Sequence, residues 1–430
     1  SSNTIAISRN LEHTNFRLSF GHTDSKDFVE TGKFRKRNMS INAGTKIDWF
    51  SIDISSMYIN EGADNRQYVG GNVRNANYTL TLIPSNINVL DMKPGYNPDG
   101  SEIIFTDGAV TNPYFVIDRV SEEDSKNRLL NAVTLRAEPL KDLYVQGKLL
   151  QDYYFFRRKN YQPEGMNWQP FGGELREYGQ EFQEMNYELT AGYRTDINQF
   201  SLNAMFGGNI MYRISRSNSD YGTPFVIPGI YTLNNTLTKT PSTSKVESQT
   251  NSLFGMAEFG YNKYLYLTLT GRNDWFSTLP IDNNNLFYPS ASLSFVFSDV
   301  FKMPKNIMSY GKLRGSYARV SGGADPYSLD LEYMLDSKNY DGQVLQKIGS
   351  SEIPNKNLRP LISTEYEIGL ETRMFDGFLY LDVAFYNKQV KDDIVSVTVS
   401  NTTGYKEAIM NTGNINNYGI EAMVELKPIH

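Results

Sequence analysis

Glu365, Glu367 and Glu371 lie within seven residues of one another, and two carboxylates at a suitable separation are all that hydrolysis of a glycosidic bond requires. In an extended segment, residues two apart point the same way. The series therefore fits the lining of a polar wall, with Arg373 as a local charge partner, better than an acid pair, and no catalytic residue is assigned. His13, His22 and His430 are too few and too scattered for a zinc centre. The chain has no cysteine, which removes disulfides, thiolate metal sites and cysteine nucleophiles. No GxSxG, HExxH or phosphate-loop pattern occurs. Asp282-Asn283-Asn284-Asn285 and Asn97-Pro98-Asp99-Gly100-Ser101-Glu102 are oxygen-rich enough for calcium, but both are also ordinary turn sequences. No metal and no cofactor is assigned.

Aromatic residues between the regular segments are better placed to recognise something. Tyr114, Phe115, Trp168, Phe171, Tyr221, Tyr231, Trp275, Tyr327 and Tyr333 are the candidate ligand contacts, with Tyr161 and Tyr340 in similar settings. Flat rings stack on sugar faces or hold peptide side chains at low entropic cost. Packing within loops, or against a partner protein, is the alternative for each.

The segments that must carry these residues are amphipathic strands. Met185, Tyr187, Leu189, Ala191 and Tyr193 alternate with Asn186, Glu188, Thr190, Gly192 and Arg194, the period of two that marks a strand. The same alternation gives Phe200, Leu202, Ala204, Phe206, Gly208, Ile210 and Tyr212, and it recurs at Leu265, Leu267 and Leu269, at Leu293, Phe295 and Phe297, and at Leu379, Leu381, Val383 and Phe385. About fourteen strands are expected, joined by connections that alternate between short and long. An antiparallel meander then gathers the short turns at one end and the long loops at the other, as in outer-membrane barrels. The long loops expected to be extracellular include residues 60–127, 157–178, 215–244 and 323–360. Within the first, residues 78–83 and 102–105 look strand-like, and a connection of that length is usually functional.

Composition agrees with a barrel wall. Apolar residues make up 40% and aromatics 13%, against about 45–50% apolar in globular chains. Few aliphatics and many rings suit a wall with a polar lumen and aromatic girdles. No apolar run approaches the roughly 18 residues of a spanning helix, but a spanning strand needs only about 9–11. A net charge of −6 offers no broad cationic field for nucleic acid. The one basic run, Lys33-Phe34-Arg35-Lys36-Arg37, fits either an anionic-ligand or lipopolysaccharide patch or the charged rim of a strand end.

Asn357-Leu358-Arg359-Pro360, followed by Ser363-Thr364-Glu365-Tyr366-Glu367-Ile368-Gly369-Leu370-Glu371 and then Asn411-Thr412-Gly413-Asn414-Ile415-Asn416-Asn417-Tyr418-Gly419-Ile420-Glu421, resembles the SusC/RagA family of TonB-dependent outer-membrane transporters. Tyr288-Pro289-Ser290-Ala291-Ser292-Leu293 and Lys312-Leu313-Arg314-Gly315-Ser316-Tyr317 are similar to other wall strands of that family. The resemblance implies an all-β fold: an antiparallel transmembrane β-barrel, of which residues 1–430 form part of a 22-stranded wall in the bacterial outer membrane. It further implies an N-terminal plug, TonB as the energy source, a SusD-like surface lipoprotein over the mouth, and import of oligosaccharides or peptides. No plug and no TonB box is recognisable here, so the chain is expected to be an internal segment. Rival expectations are a passive porin or structural outer-membrane barrel, and a soluble carbohydrate-processing β-protein.

Overall fold

The computed structural model describes residues 1–430 except 67, 69, 73, 107–109, 169–170 and 428–430. Its strands are β1 (Ser2–Asn10), β2 (Thr14–Lys26), β3 (Lys33–Ile47), β4 (Phe50–Asp64), β5 (Ser121–Leu140), β6 (Leu143–Gln162), β7 (Glu174–Ile197), β8 (Phe200–Phe225), β9 (Thr236–Tyr261), β10 (Leu265–Phe276), β11 (Asn285–Val296), β12 (Met308–Gly322), β13 (Tyr333–Tyr340), β14 (Gln343–Ile348), β15 (Glu352–Ile353), β16 (Leu361–Met374), β17 (Leu379–Lys391), β18 (Ile394–Thr398), β19 (Glu407–Asn411) and β20 (Asn414–Leu426). Fifteen of them, β1 through β12 and then β16, β17 and β20, form one sheet in chain order. Every pairing in that sheet is antiparallel. A hairpin of β13 and β14 and a small sheet of β15, β19 and β18 fill two of the long connections.

The sheet has one strand more than expected, because residues 11–13 turn the chain between β1 and β2. Most other short turns carry positive φ at an Asp or Asn, as at Asp48, Asp142, Asn198 and Asn262, which is the hairpin signal visible in a sequence. No residue from 10 to 14 has positive φ, so that turn lacks the mark. The strands also run farther into the long connections than side-chain pattern suggests. Only residues 163–173 remain between β6 and β7, 226–235 between β8 and β9, and 65–120 between β4 and β5. Polar stretches such as Ser217-Asn218-Ser219-Asp220 look like loop, yet the main-chain ladder continues through them.

Register extends one apolar face across the sheet. Phe16, Ala43, Ile54, Val133, Leu149, Tyr187 and Ile210 lie opposite one another in turn from β2 to β8. Phe259, Leu267 and Leu293 continue the face, as do Leu313, Leu370, Val383 and Ala422. Leu189 and Phe206 are both 63% exposed, and among the described residues no second layer covers this face. Water does not tolerate a contiguous apolar surface of that extent. The opposite face carries charges and rings, and its glycines make room for them. A Cβ on Gly192 would come within 2.3 Å of the Tyr144 ring on the neighbouring strand, and the Arg136 guanidinium lies 3.8 Å from that ring's centre.

The long connection between β4 and β5 is folded. Residues 78–83 fall in and after a helix, α1 (Ala76–Thr81), and not in a strand. Asn75 caps it by accepting a hydrogen bond from the Asn77 amide at 3.1 Å. A second helix, α2 (Pro113–Arg119), is capped by Asn112, which accepts from the Tyr114 amide at 3.0 Å. A third, α3 (Phe297–Val300), sits in the turn before β12. Residues 102–105 contribute a single bridge, Tyr96 to Glu102, to extended structure. Glu102 is buried, and its carboxylate accepts from the amides of Asn112 at 2.5 Å and Asn167 at 2.6 Å. One side chain thus fastens the β4–β5 loop to the β6–β7 loop.

Two outcomes follow for the full-length protein. Gly192→Ala displaces Tyr144 and lowers stability by about 1–3 kcal/mol, as overpacking does, measured by urea unfolding. Glu102→Ala leaves two amides without an acceptor and lowers the free energy of local loop opening by about 2–4 kcal/mol, read by hydrogen exchange at Asn112 and Asn167. Burial holds the Glu102 carboxyl above its ordinary value of 4.5, with the two amides opposing that shift. The folded loop therefore binds this proton more tightly than the unfolded chain, and wild-type loop protection declines as pH rises through and above that value. Protection that increases over that range contradicts the assignment.

Candidate functional site

Alternation places every second side chain of β4–β12, β16 and β17 on the polar face, where opposite charges meet across strands. Lys312 Nζ lies 2.6 Å from Glu371, and Arg314 bridges Glu367 at 3.1 Å and Asp382 at 2.8 Å. Arg128 pairs with Asp152 and Arg213 with Glu184, both bidentate or forked. Arg272 holds Asp274 at 2.8 Å, and the Tyr288 hydroxyl donates to the same carboxylate. The partners of the glutamate series are thus Lys312 and Arg314, and not Arg373, whose guanidinium lies 5.7 Å from the Tyr380 ring centre. Register explains the difference: Lys312 sits directly opposite Glu371 on the adjacent strand, where side chains are closest. With Glu367 and Glu371 each held by a cation, the wall carries a charge ladder in place of an acid pair.

Toward the long-loop end, β5–β8 gather rings on the same face. Tyr154 stacks on Phe182 with centroids 4.9 Å apart, and Phe156 lies 6.1 Å from Tyr178. Cations cover them: Lys126 Nζ is 4.1 Å from the Tyr154 ring centre, the Arg158 guanidinium 6.0 Å from Tyr178, and the Arg176 guanidinium 4.6 Å from Tyr221. Such pairs are worth about 0.5–2 kcal/mol and leave donor groups beside flat apolar faces. Tyr154, Phe156, Tyr178 and Phe182 were not among the loop aromatics because they lie within strands. The visible signal is the run Asp152-Tyr153-Tyr154-Phe155-Phe156-Arg157-Arg158, whose even-numbered members share one face.

The nine candidate aromatics do not form one site. Tyr327 and Tyr333 come together, lining a cavity of about 420 Å³ with Asp325, Glu332 and Glu352. Tyr327 also accepts a hydrogen bond from the Glu247 amide at 3.1 Å. Tyr221 lies on β8 in the ring and cation patch. Trp168 and Phe171 are exposed in the β6–β7 loop. Tyr114 lies under Lys93, whose Nζ is 5.1 Å from its ring centre. Phe115 is 0% exposed, packed with Ala76, Val116, Val120 and Met166 in the core of the β4–β5 loop. Tyr231 stacks on Tyr161 at 4.0 Å and meets Phe225 edge-on at 5.2 Å. Trp275 is on the apolar face, beside Ile210 and Leu253.

The oxygen-rich stretch at residues 97–102 has other tasks. Asp99 accepts from the Ser101 amide and hydroxyl, and Glu102 fastens the loops. Among the described residues, no three His, Cys, Asp or Glu side chains are grouped to hold a metal ion. His430 lies outside the described residues.

Residues 53–427 match the family model described as TonB dependent receptor-like, beta-barrel. TonB-dependent receptor P26 of Formosa agariphila is 26% identical over 351 residues, covering 78% of this chain and 35% of that protein. TonB-dependent receptor SusC of Bacteroides thetaiotaomicron is 24% identical and covers 99% of this chain and 44% of its own length. Among solved structures, the RagAB peptide transporter superposes with a TM-score of 0.83 at 18% identity, covering 99% of this chain and 48% of that one. The ferripyoverdine receptor of Pseudomonas aeruginosa gives 0.58 at 12% identity, covering 100% of this chain and 52% of its own. This chain spans less than half the length of the two curated relatives named here. The sheet order, the two chemically distinct faces and the family match over most of the sequence together place this chain in the TonB-dependent receptor-like β-barrel family.

Proposed function

We propose that this chain is part of the barrel wall of a SusC-like importer in the bacterial outer membrane, passing oligosaccharides or peptides inward with energy supplied through TonB. Family membership, the SusC relative and the likeness to a peptide transporter support the reading. The observation that carries it is the division of the sheet into an uncovered apolar face and a face of paired charges and cation-covered rings. The apolar face meets hydrocarbon and the polar face lines the lumen. Among the described residues, β1 and β20 each present an unpaired edge, which hydrocarbon does not satisfy. In the proposed importer, further strands lie between them and a plug fills the lumen. A SusD-like lipoprotein closes over the long-loop end.

The charge ladder gives a hydrated path with no catalytic function. Tyr154, Phe156, Tyr178, Phe182 and Tyr221 offer flat faces beside cationic donors, which suit hydroxyl-rich sugars and peptide carbonyls alike. Trp168, Phe171, Tyr327 and Tyr333 are the exposed contacts nearer the mouth. Phe115, buried in its loop, has a packing role.

Two measurements in the full-length protein test this. Leu267→Arg lowers stability in lipid vesicles by about 2–4 kcal/mol, whereas Thr268→Arg, facing the lumen, changes it by less than about 1 kcal/mol. Equal losses would sink the membrane assignment. In cells, removing a stacking partner costs about 0.5–1.5 kcal/mol, so Tyr154→Ala, Trp168→Ala and Tyr327→Ala each weaken half-saturation of uptake roughly two- to tenfold, and Tyr187→Ala on the lipid face leaves it unchanged. Normal uptake by all three removes the contact assignment, and a steady open pore in a planar bilayer favours a passive porin.

A further inference from the structure

The basic run resolves into two faces of β3. Lys33, Arg35 and Arg37 alternate with Phe34 and Lys36, and they share the apolar face with Met39 and Ile41. Their exposure alternates in step: Lys33, Arg35, Arg37 and Met39 are exposed, and Phe34, Lys36 and Asn38 are half-buried. Register places Arg37 opposite His22 and Asn60, Arg35 opposite Asp24 and Gly62, and Lys33 opposite Lys26 and Asp64. Immediately below them runs the row Ile5, Phe20, Met39 and Tyr58. The cations therefore begin where the apolar band of these strands ends.

Height along the strand decides what they meet. Two residues advance about 6.6–6.8 Å along the strand, so on a strand tilted by about 40° Arg37 stands roughly 5 Å and Arg35 roughly 10 Å higher than Met39. Headgroups add some 5–8 Å per leaflet to the hydrocarbon core. That brings Arg37 into the headgroup layer and Arg35 to its outer edge, from which a long side chain reaches back to the phosphates, as do Lys33 and Lys26.

Several other cations beyond the band on the same face have a carboxylate partner. Lys159 has Glu177 at 3.8 Å, Arg216 has Glu181 at 3.8 Å, and Lys245 has Glu247 at 2.8 Å. In the β2–β3 cluster the two facing carboxylates are partly taken: Asp24 lies 2.5 Å from His22, and Asp64 is 3.6 Å from Arg35. Among the described residues Lys26, Lys33 and Arg37 have no carboxylate within ion-pair distance. Arginine forks match phosphate oxygens in pairs.

Resting on the membrane reading above, we infer that Arg35 and Arg37, with Lys33 and Lys26, hold the phosphate of a lipid headgroup in the leaflet at the long-loop end. The lipid's chains lie on the apolar row beneath.

The test uses the full-length protein extracted from its own outer membrane in mild non-ionic detergent, with bound lipid phosphorus measured per protein and by native mass spectrometry. Arg35→Gln with Arg37→Gln reduces retained phosphate-bearing lipid at least about threefold, and Arg216→Gln with Lys245→Gln does not. Wild-type protein in nanodiscs retains lipid A over its dephosphorylated form, and inorganic phosphate at equal concentration does not displace it. Equal retention by wild type and variant, an equal drop in the control pair, or displacement by inorganic phosphate overturns the assignment. If the double variant fails to fold, Arg37→Gln alone is read in the same way, with a smaller drop expected and equality again decisive. Failure of the membrane reading itself looks different: wild-type protein is then recovered without detergent and carries no lipid.

Discussion

The constraint on which the structure depends is that each strand's amides and carbonyls must be satisfied by its two neighbours. Thirteen of the fifteen strands meet it in simple succession, each beside the strand before and after it in the sheet, while β1 and β20 are paired on one side. Once the main chain is paired in this way, hydrogen bonding places no demand on the side chains. They are free to specify two faces, and the period of two makes that division automatic. A slip of one residue would put Arg314 and Glu367 among Leu313 and Ile368, so the charges enforce register as firmly as the apolar residues do.

Much of this was legible in the sequence where both faces differ strongly. From Phe200 to Tyr212 every second residue is apolar or glycine, and both the strand and its facing were evident. Legibility failed where water bathes both faces. Ser217-Asn218-Ser219-Asp220 has no alternation to read, yet it lies in β8 because its backbone pairs with β9. The turn between β1 and β2 was hidden for a different reason: its residues adopt ordinary negative φ and need no Gly, Asn or Asp. α1 was misjudged because Tyr78, Leu80 and Leu82 alternate like a strand, while the deciding residue is the capping Asn75 outside that pattern.

The site was less legible than the fold. Searching the loops for rings located exposed residues such as Trp168 and Phe171, but it also collected Phe115, whose ring builds a loop core, and Trp275, which faces the apolar side. Composition cannot separate these cases. What separates them is parity within a strand and burial within a loop, and both require the hydrogen-bond partners to be known. The ring patch of β5–β8 illustrates this: Tyr153 and Tyr154 are chemically identical neighbours, yet only Tyr154 stacks on Phe182 beneath Lys126.

Parity also governs where charge is affordable. A guanidinium on the lumen face keeps some hydration and gains a carboxylate across the strand, as Arg314 does with Glu367 and Asp382. The same group facing hydrocarbon would have neither, at a cost of about 2–4 kcal/mol near the midplane that fades toward the interfaces. Arg37 and Arg35 are on that second face, but beyond the apolar row, where the cost is small; Arg35 has Asp64 at 3.6 Å, and in the proposed site a lipid phosphate supplies the counter-charge that Arg37 lacks. A single alternating segment, Lys33 to Arg37, thus has lumen-facing residues at its even positions and headgroup-facing residues at its odd ones. The mixed character that left the basic run ambiguous in sequence is the expected result of one strand serving two solvents.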